Sequence, residues 1–299
     1  VRLPRRLAFF SAIFVAAVAT AAEPITFVGY NVNNWLTMDR YVDGKRVSGQ
    51  PKPEEEKAAV VGILNRLKPD ILGVVEMGSK EDLADLQSRL KAKGIDLPHP
   101  AWVEGPDVER HVALLSRFPI VSDQSVSNLP IDLNGAPLAV QRGILDVTIE
   151  PAEGYQLRVV GVHFKSKRDV PDFDQAQLRA REAAVLREHV TGILKEDPEA
   201  NVLIFGDFND TKNEYPVRHI ISRSAKPKLT DLQLTDDAGE RWTHYWRTAD
   251  IYSRLDYLVV SPGLLPEIDQ ERSGIDSSPD WNRASDHRAV HTTITPSDQ

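Results

Sequence analysis

The chain has 299 residues, 41% hydrophobic and 27% charged, which allows one large domain or two small ones around a sizeable core. A formal charge of −8 gives it no general attraction to polyanions, so a phosphate-rich substrate must be met by a local basic patch or by bound cations. The absence of cysteine excludes disulfides, thiolate metal sites and cysteine nucleophiles.

The opening segment, VRLPRRLAFFSAIFVAAVATAAEP, sets Arg2, Arg5 and Arg6 ahead of an apolar run from Leu7 to Val18, followed by small residues. This three-part pattern predicts a secretory signal over residues 1–22, cut after Ala21 or Ala22. The apolar run falls short of the roughly 20 residues a bilayer span wants. Val1 in place of Met points to an alternative start codon and a bacterial origin. On this expectation residues 23–299 form one exported domain, periplasmic or secreted, with no stable membrane span after processing.

ITFVGYNV (25–32) alternates as a strand, and PEEEKAAVVGILNRLK (53–68) reads as a helix with Pro and acids in its first turn. ILGVVE (71–76) is a buried strand, and EDLADLQSRLKAK is a second helix ended by Gly94. Strand-like runs follow at 111–116, 139–149 and 155–164, then a helix over 174–195 and strands at 202–206, 255–260 and 288–294. The segments 39–55 and 271–284 read as loops flanking the strand ends. Consecutive strands separate the helices, which argues against a purely parallel doubly wound sheet and for a layered α/β sandwich with mixed sheets.

Polar groups collect at the strand ends. Asn31 and Asn33 follow ITFVGY, Glu76 closes ILGVVE, and His163 stands late in LRVVGVHFKSK. Asp207 and Asn209 close NVLIFGDFND, Asp256 opens a strand in SRLDYLVV, and Asp286 with His287 precedes the last strand. Singly, each has an ordinary reading as a cap, a turn or a hydrogen-bonded core residue. Together they would require six strand ends to carry such residues by accident. Carboxylate and amide oxygens without thiolates suit a hard cation, Mg²⁺ or Mn²⁺, and two histidines can move protons, so the set points to metal-assisted phosphoester hydrolysis. No Walker loop, GxGxxG, HExxH or GxSxG motif is present.

The motifs YNVNNW, VVEM, HVALLSRFPI, VVGVHFKSK, GDFND, RLDYLVVS and SDHRAV occur in this order. In them the chain resembles the endonuclease/exonuclease/phosphatase superfamily, which includes deoxyribonucleases, abasic-site endonucleases, inositol polyphosphate phosphatases and bacterial sphingomyelinases. The resemblance implies one catalytic domain over 23–299, built as a four-layer α/β sandwich. Two mixed, mostly antiparallel sheets would pack face to face with helices outside and the site at one rim.

It further implies that Asn31, Glu76 and Asp286 serve a Mg²⁺ or Mn²⁺ site, and that His163 contacts the scissile phosphate or protonates the leaving group. Asp207 would position or deprotonate water, Asn209 would donate to a phosphate oxygen, and Asp256 would orient His287. Whether Asp207 or His287 removes the proton from water stays open. His111 departs from the family, which usually shows a small residue there, and would cap the sheet or line the cleft.

Lys165, Lys167 and Arg168 directly after His163, with Arg142 in AVQRGIL, read either as a solvated charged loop or as a grip on flanking phosphates. The substrate implied is nucleic acid, DNA or RNA, with a phospholipid or a sugar phosphate as alternatives and a non-catalytic binding module as a reading of another class. A sphingomyelinase would carry an exposed aromatic hairpin; no such cluster is evident, Trp242, Tyr245 and Trp246 in RWTHYWR coming closest. Trp281 would stack on a base, enter lipid or simply pack. No protein partner is inferred, and a monomer is expected.

Overall fold

Alternation along the strands decides which side chains face which layer. The computed structural model describes residues 23–133, 135–168, 173–222 and 224–297. The expected signal lies outside the described residues, among which no helix is long and apolar enough to cross a membrane. In Ile25–Trp35, Phe27 enters a core shared by two sheets, whereas Val28, Tyr30 and Val32 meet helices on the other side. Val202–Asp207 does the same: Leu203 and Phe205 point to the shared core, Val202 and Ile204 to an outer helical layer.

Each of the two packed sheets has six strands. The first runs Ile268–Ile275, Val290–Ile294, Ile25–Trp35, Ile71–Met77, His111–Ser116, His99–Val103, and only Ile25–Trp35 with Ile71–Met77 is parallel. The second runs Thr230–Asp231, Asp256–Val260, Val202–Asp207, Tyr155–His163, Leu145–Ala152, Ile120–Asp123, with Tyr155–His163 and Val202–Asp207 the parallel pair. Helices Glu54–Leu67 and Lys80–Lys91 cover the first sheet, and Gln175–Glu196 and Tyr215–Ile220 the second. The fold is therefore the expected sandwich of two mixed, mostly antiparallel sheets.

Local chemistry sets the helix starts. Ser79 and Asp82 form a reciprocal capping box, and Asp174 accepts from the Ala176 and Gln177 amides. The sheets approach closely because Phe205 lies over two glycines: a Cβ on Gly73 would come within 2.4 Å of its ring and one on Gly161 within 2.6 Å.

Three segments differ from the sequence reading. Residues 39–55 are largely a hairpin, Met38–Val42 with Lys45–Gln50, turned at Asp43 and Gly44 with φ of 50° and 75°, because a DG pair supplies two left-handed residues. The tract 271–284 ends the strand Ile268–Ile275 and adds the short helix Trp281–Ala284. The run 139–149 starts as a strand only at Leu145, since Gly143 sits at φ 66° with Glu104 and Val126 carbonyls too near to admit a side chain.

Candidate active site

The same alternation delivers the polar groups. Asn31 continues the inward row of Phe27 and Gly29, His163 that of Val159 and Gly161, and Asp207 that of Leu203 and Phe205; Asp256 precedes Leu258 and Val260. Where each row reaches the rim, the apolar residue gives way to a polar one. Register then places Asp207 beside His163 on one side and Asp256 on the other.

Glu76 breaks the rule. By parity it belongs with Leu72 and Val74 on the helix side, but the register shifts between Val75 and Met77 and Glu76 adopts φ 60°. The irregularity turns its carboxylate to the rim, as bulges do beside functional sites. There Oε1 accepts from Asn31 Nδ2 at 3.3 Å and Oε2 from the Asn34 amide at 2.9 Å. Asn31 Nδ2 also reaches Asp207 Oδ2 at 3.2 Å, joining the two sheets. His163 Nε2 lies 3.6 Å from Asp207 Oδ2 and 3.9 Å from Glu76 Oε1. Asn209, at φ 52°, donates from its amide to Asp207 Oδ1 at 2.8 Å and from Nδ2 to the Phe164 carbonyl at 2.9 Å.

His287 is oriented from behind. Its Nδ1 is 2.8 Å from Asp256 Oδ2, and its Nε2 is 3.7 Å from Asp207 Oδ2. Ser285 Oγ accepts from the His287 amide and donates to the Asn31 carbonyl, tying the last loop to the first strand. The order Asp256, His287, Asp207 therefore has one imidazole edge held and the other presented.

Burial divides the charges. Asp207 is pushed up to about 7, by burial first and then by the Asp256 and Glu76 carboxylates, against the pull of His287. Burial works against a charged His287, but Asp256 and Asp207 outweigh it and raise the imidazole well above its ordinary value. His163 goes the other way: burial, then Arg142 and His287, lower it well below the ordinary histidine value. It is a neutral imidazole able to donate one hydrogen bond, and its buried Nδ1 has no hydrogen-bond partner among the described residues.

The predicted basic group is dispersed. Arg142 is buried, holding Asp107 at 2.8 Å and the Phe164 carbonyl. Lys167 is held at 2.9 Å by Asp210 and 2.8 Å by Glu214. Lys165 is half-buried beside the site, its amide fixed by the buried Glu182, and Arg168 is exposed. Asp286 is half exposed beside His287, its Oδ2 lying 4.0 Å from His244 Nε2. His111 caps: its Nδ1 pairs with the Gly78 carbonyl at 2.8 Å and its ring lies on Trp102 at 4.0 Å.

Two features escape sequence reasoning. Three cations hold the left-handed Asn33–Asn34 turn that carries Glu76: Lys52 Nζ reaches the Asn33 carbonyl at 3.1 Å, Arg40 the Asn34 carbonyl at 2.7 Å, and Arg110 the Asn34 Oδ1 at 2.8 Å. No spacing signal announces them, because they come from a hairpin and from another strand's approach. The second is the hairpin His244–Trp246 with Ile251–Ser253, which sets His244 opposite His287 and leaves Trp246 54% and Tyr252 52% exposed. An exposed aromatic hairpin is thus present, correcting the expectation of none. Trp281 packs edge-on against Trp242 at 5.0 Å.

Glu76, partly exposed at the rim, and the Asn31 amide oxygen, which accepts from the Asn33 amide at 3.0 Å, are hard donors of the kind a divalent cation takes. A cation there would neutralise charge on a phosphoryl oxygen.

A model of the Endonuclease/Exonuclease/phosphatase family matches residues 44–287. No curated protein sequence matches the chain. Among solved structures, truncated TDP2 of Caenorhabditis elegans aligns at TM-score 0.63 with 17% identity over 91% of this chain and 98% of that one. The human Nocturnin catalytic domain aligns at 0.63 with 20% identity over 90% and 93%. The beta toxin of Staphylococcus aureus aligns at 0.61 with 17% identity over 90% and 99%. At these identities the likeness is one of fold.

Proposed function

The chain belongs to the endonuclease/exonuclease/phosphatase family, whose members are metal-dependent phosphoric ester hydrolases, and on that premise we propose an exported Mg²⁺-dependent phosphodiesterase acting on DNA or RNA. One observation carries the reading: Asn31, Glu76, His163, Asp207, Asn209, Asp256 and His287 converge from two sheets on one rim. In it, Asp207 and His287 share the proton taken from water. Neutral His163 steadies a phosphoryl oxygen, electrostatic work typically worth about 3–4 kcal/mol per donor, while Asn209, whose amide and Nδ2 are engaged by Asp207 and the Phe164 carbonyl, holds Asp207 in place. Lys165 and Arg168, with no acid paired to either among the described residues, supply positive charge close in sequence to His163, whereas Arg142 and Lys167 are engaged by acids.

Nicking of supercoiled plasmid by the purified protein with Mg²⁺ tests the reading; EDTA and His287→Ala should each abolish it. A specific observation favours a second reading, a phospholipid phosphodiesterase: Trp246, Ile251 and Tyr252 are exposed on the hairpin that reaches His287. If plasmid and RNA stay intact while headgroup phosphate is released from vesicles, the second reading replaces the first.

A further inference from the structure

We propose that His244, Asp286 and His287 form a transition-metal site, separate from Glu76 and Asn31, that takes Zn²⁺ and withdraws His287 from proton transfer. Each of the three offers a ligand atom, and these atoms lie within 4.8 Å of one another. His244 Nε2 is 4.0 Å from Asp286 Oδ2, and the His244 and His287 rings lie 4.6 Å apart. Zinc bonds of about 2.0–2.1 Å need ligand atoms closer than this, so the more exposed His244 and Asp286 would have to turn toward the buried His287 to close on an ion.

The backbone pre-sets the arrangement. His244 pairs with His287 across an antiparallel bridge, the Tyr245 amide donates to the Asp286 carbonyl at 3.0 Å, and the Arg288 amide donates to the Thr243 carbonyl at 2.6 Å. The ligands are therefore carried on two locked segments. Asp256 already holds Nδ1 of His287, leaving Nε2 to offer, and a carboxylate behind an imidazole is the usual outer support of a metal-bound histidine.

Donor chemistry selects the ion. Two imidazoles and one carboxylate suit Zn²⁺ and not Mg²⁺, which prefers oxygen and keeps its water. His244 and Asp286 are 19% and 49% exposed, so an ion can arrive from solvent and keep a water. Asp207, Asp256 and His287 also lie close enough to ligate, but that set is buried and Asp256 is spent on Nδ1. An ion on His287 Nε2 occupies the nitrogen that faces Asp207 at 3.7 Å. Zn²⁺ would thus silence a centre that a hard cation at Glu76 serves.

The test is direct and needs no turnover. The full chain, labelled with ¹⁵N-histidine and held in excess Mg²⁺, is titrated with Zn²⁺ while the imidazole nitrogens are followed by NMR and bound Zn²⁺ is counted by equilibrium dialysis. One Zn²⁺ per chain is expected, with the His244 and His287 ring signals moving together. His244→Ala and His244→Gln should each weaken binding by at least the roughly 10- to 100-fold that loss of even an outer support costs. His219→Ala, remote from the cluster, should bind as the unaltered chain does. Zn²⁺ binding without a His244 shift, unchanged affinity in both His244 variants, or binding lost in Asp207→Asn but not in His244→Ala would each overturn the proposal.

Discussion

Replacing Asp256 by Asn keeps the volume and removes the charge behind His287. The Asp256–His287 contact is 2.8 Å long, and both side chains are 6% exposed. A hydrogen bond to a charged group is worth about 1.5–3 kcal/mol, more than a neutral one. If that support is needed when His287 becomes an imidazolium, its loss lowers turnover by about 13- to 160-fold. The assay is Mg²⁺-dependent hydrolysis of a bis-aryl phosphodiester, with His287→Ala as the floor and circular dichroism confirming the fold. The pH profile should move too: Asp256 helps raise the imidazole, so in Asp256→Asn the limb governed by His287 shifts to lower pH. Stability carries the same signature. A raised imidazole contributes fully below its unfolded value of about 6.5 and loses that contribution as pH rises through the folded value. The stability gap between variant and parent should thus be widest in acid and narrow upward. Turnover within threefold of the parent, with His287→Ala inactive, would refute the orienting role.

Gly206→Ala should cost at least about 3 kcal/mol, since φ is 150° and the new Cβ would stand 1.9 Å from the Val162 carbonyl oxygen, one residue before Asp207; urea unfolding measures it, and a fully stable, active variant contradicts it. Asp146→Ala leaves Arg158 and His189 without the buried carboxylate they hold at 2.6 and 2.7 Å, and a loss of about 3–5 kcal/mol is expected at neutral pH; under 1 kcal/mol would mean the network relaxes freely. If nucleic acid is bound, Lys165→Met should reduce the slope of log affinity against log salt by about 0.7–0.9, whereas Lys167→Met, already neutralised by Asp210 and Glu214, should leave it unchanged. Lys52→Met releases the turn that holds Glu76, so Mn²⁺ affinity by calorimetry should fall by about tenfold or more, and parental affinity would show the clamp to be idle.

Much of the site is legible in the sequence because it obeys period two. Asn31, His163, Asp207 and Asp256 each sit an even number of residues from apolar neighbours that face the shared core, so a strand that buries those neighbours must present the polar residue at the rim. Helix limits are legible for the same local reason, as Ser79 and Asp82 show. Glu76 is named by its place at a strand end, but its facing is not legible, since parity sends it to the wrong face; a bulge and a left-handed backbone turn it to Asn31, beside a turn held by three cations from other segments. His244 is invisible for a related reason: it reaches His287 through pairing across 42 intervening positions. Charge along the chain does not reveal which basic residues acids will engage: Asp107 folds back onto Arg142, and Asp210 and Glu214 onto Lys167. Neighbours in sequence settle which way a side chain points within a strand. Which charges remain free, and which carboxylates keep their protons, depends on burial and on partners that only tertiary contact supplies.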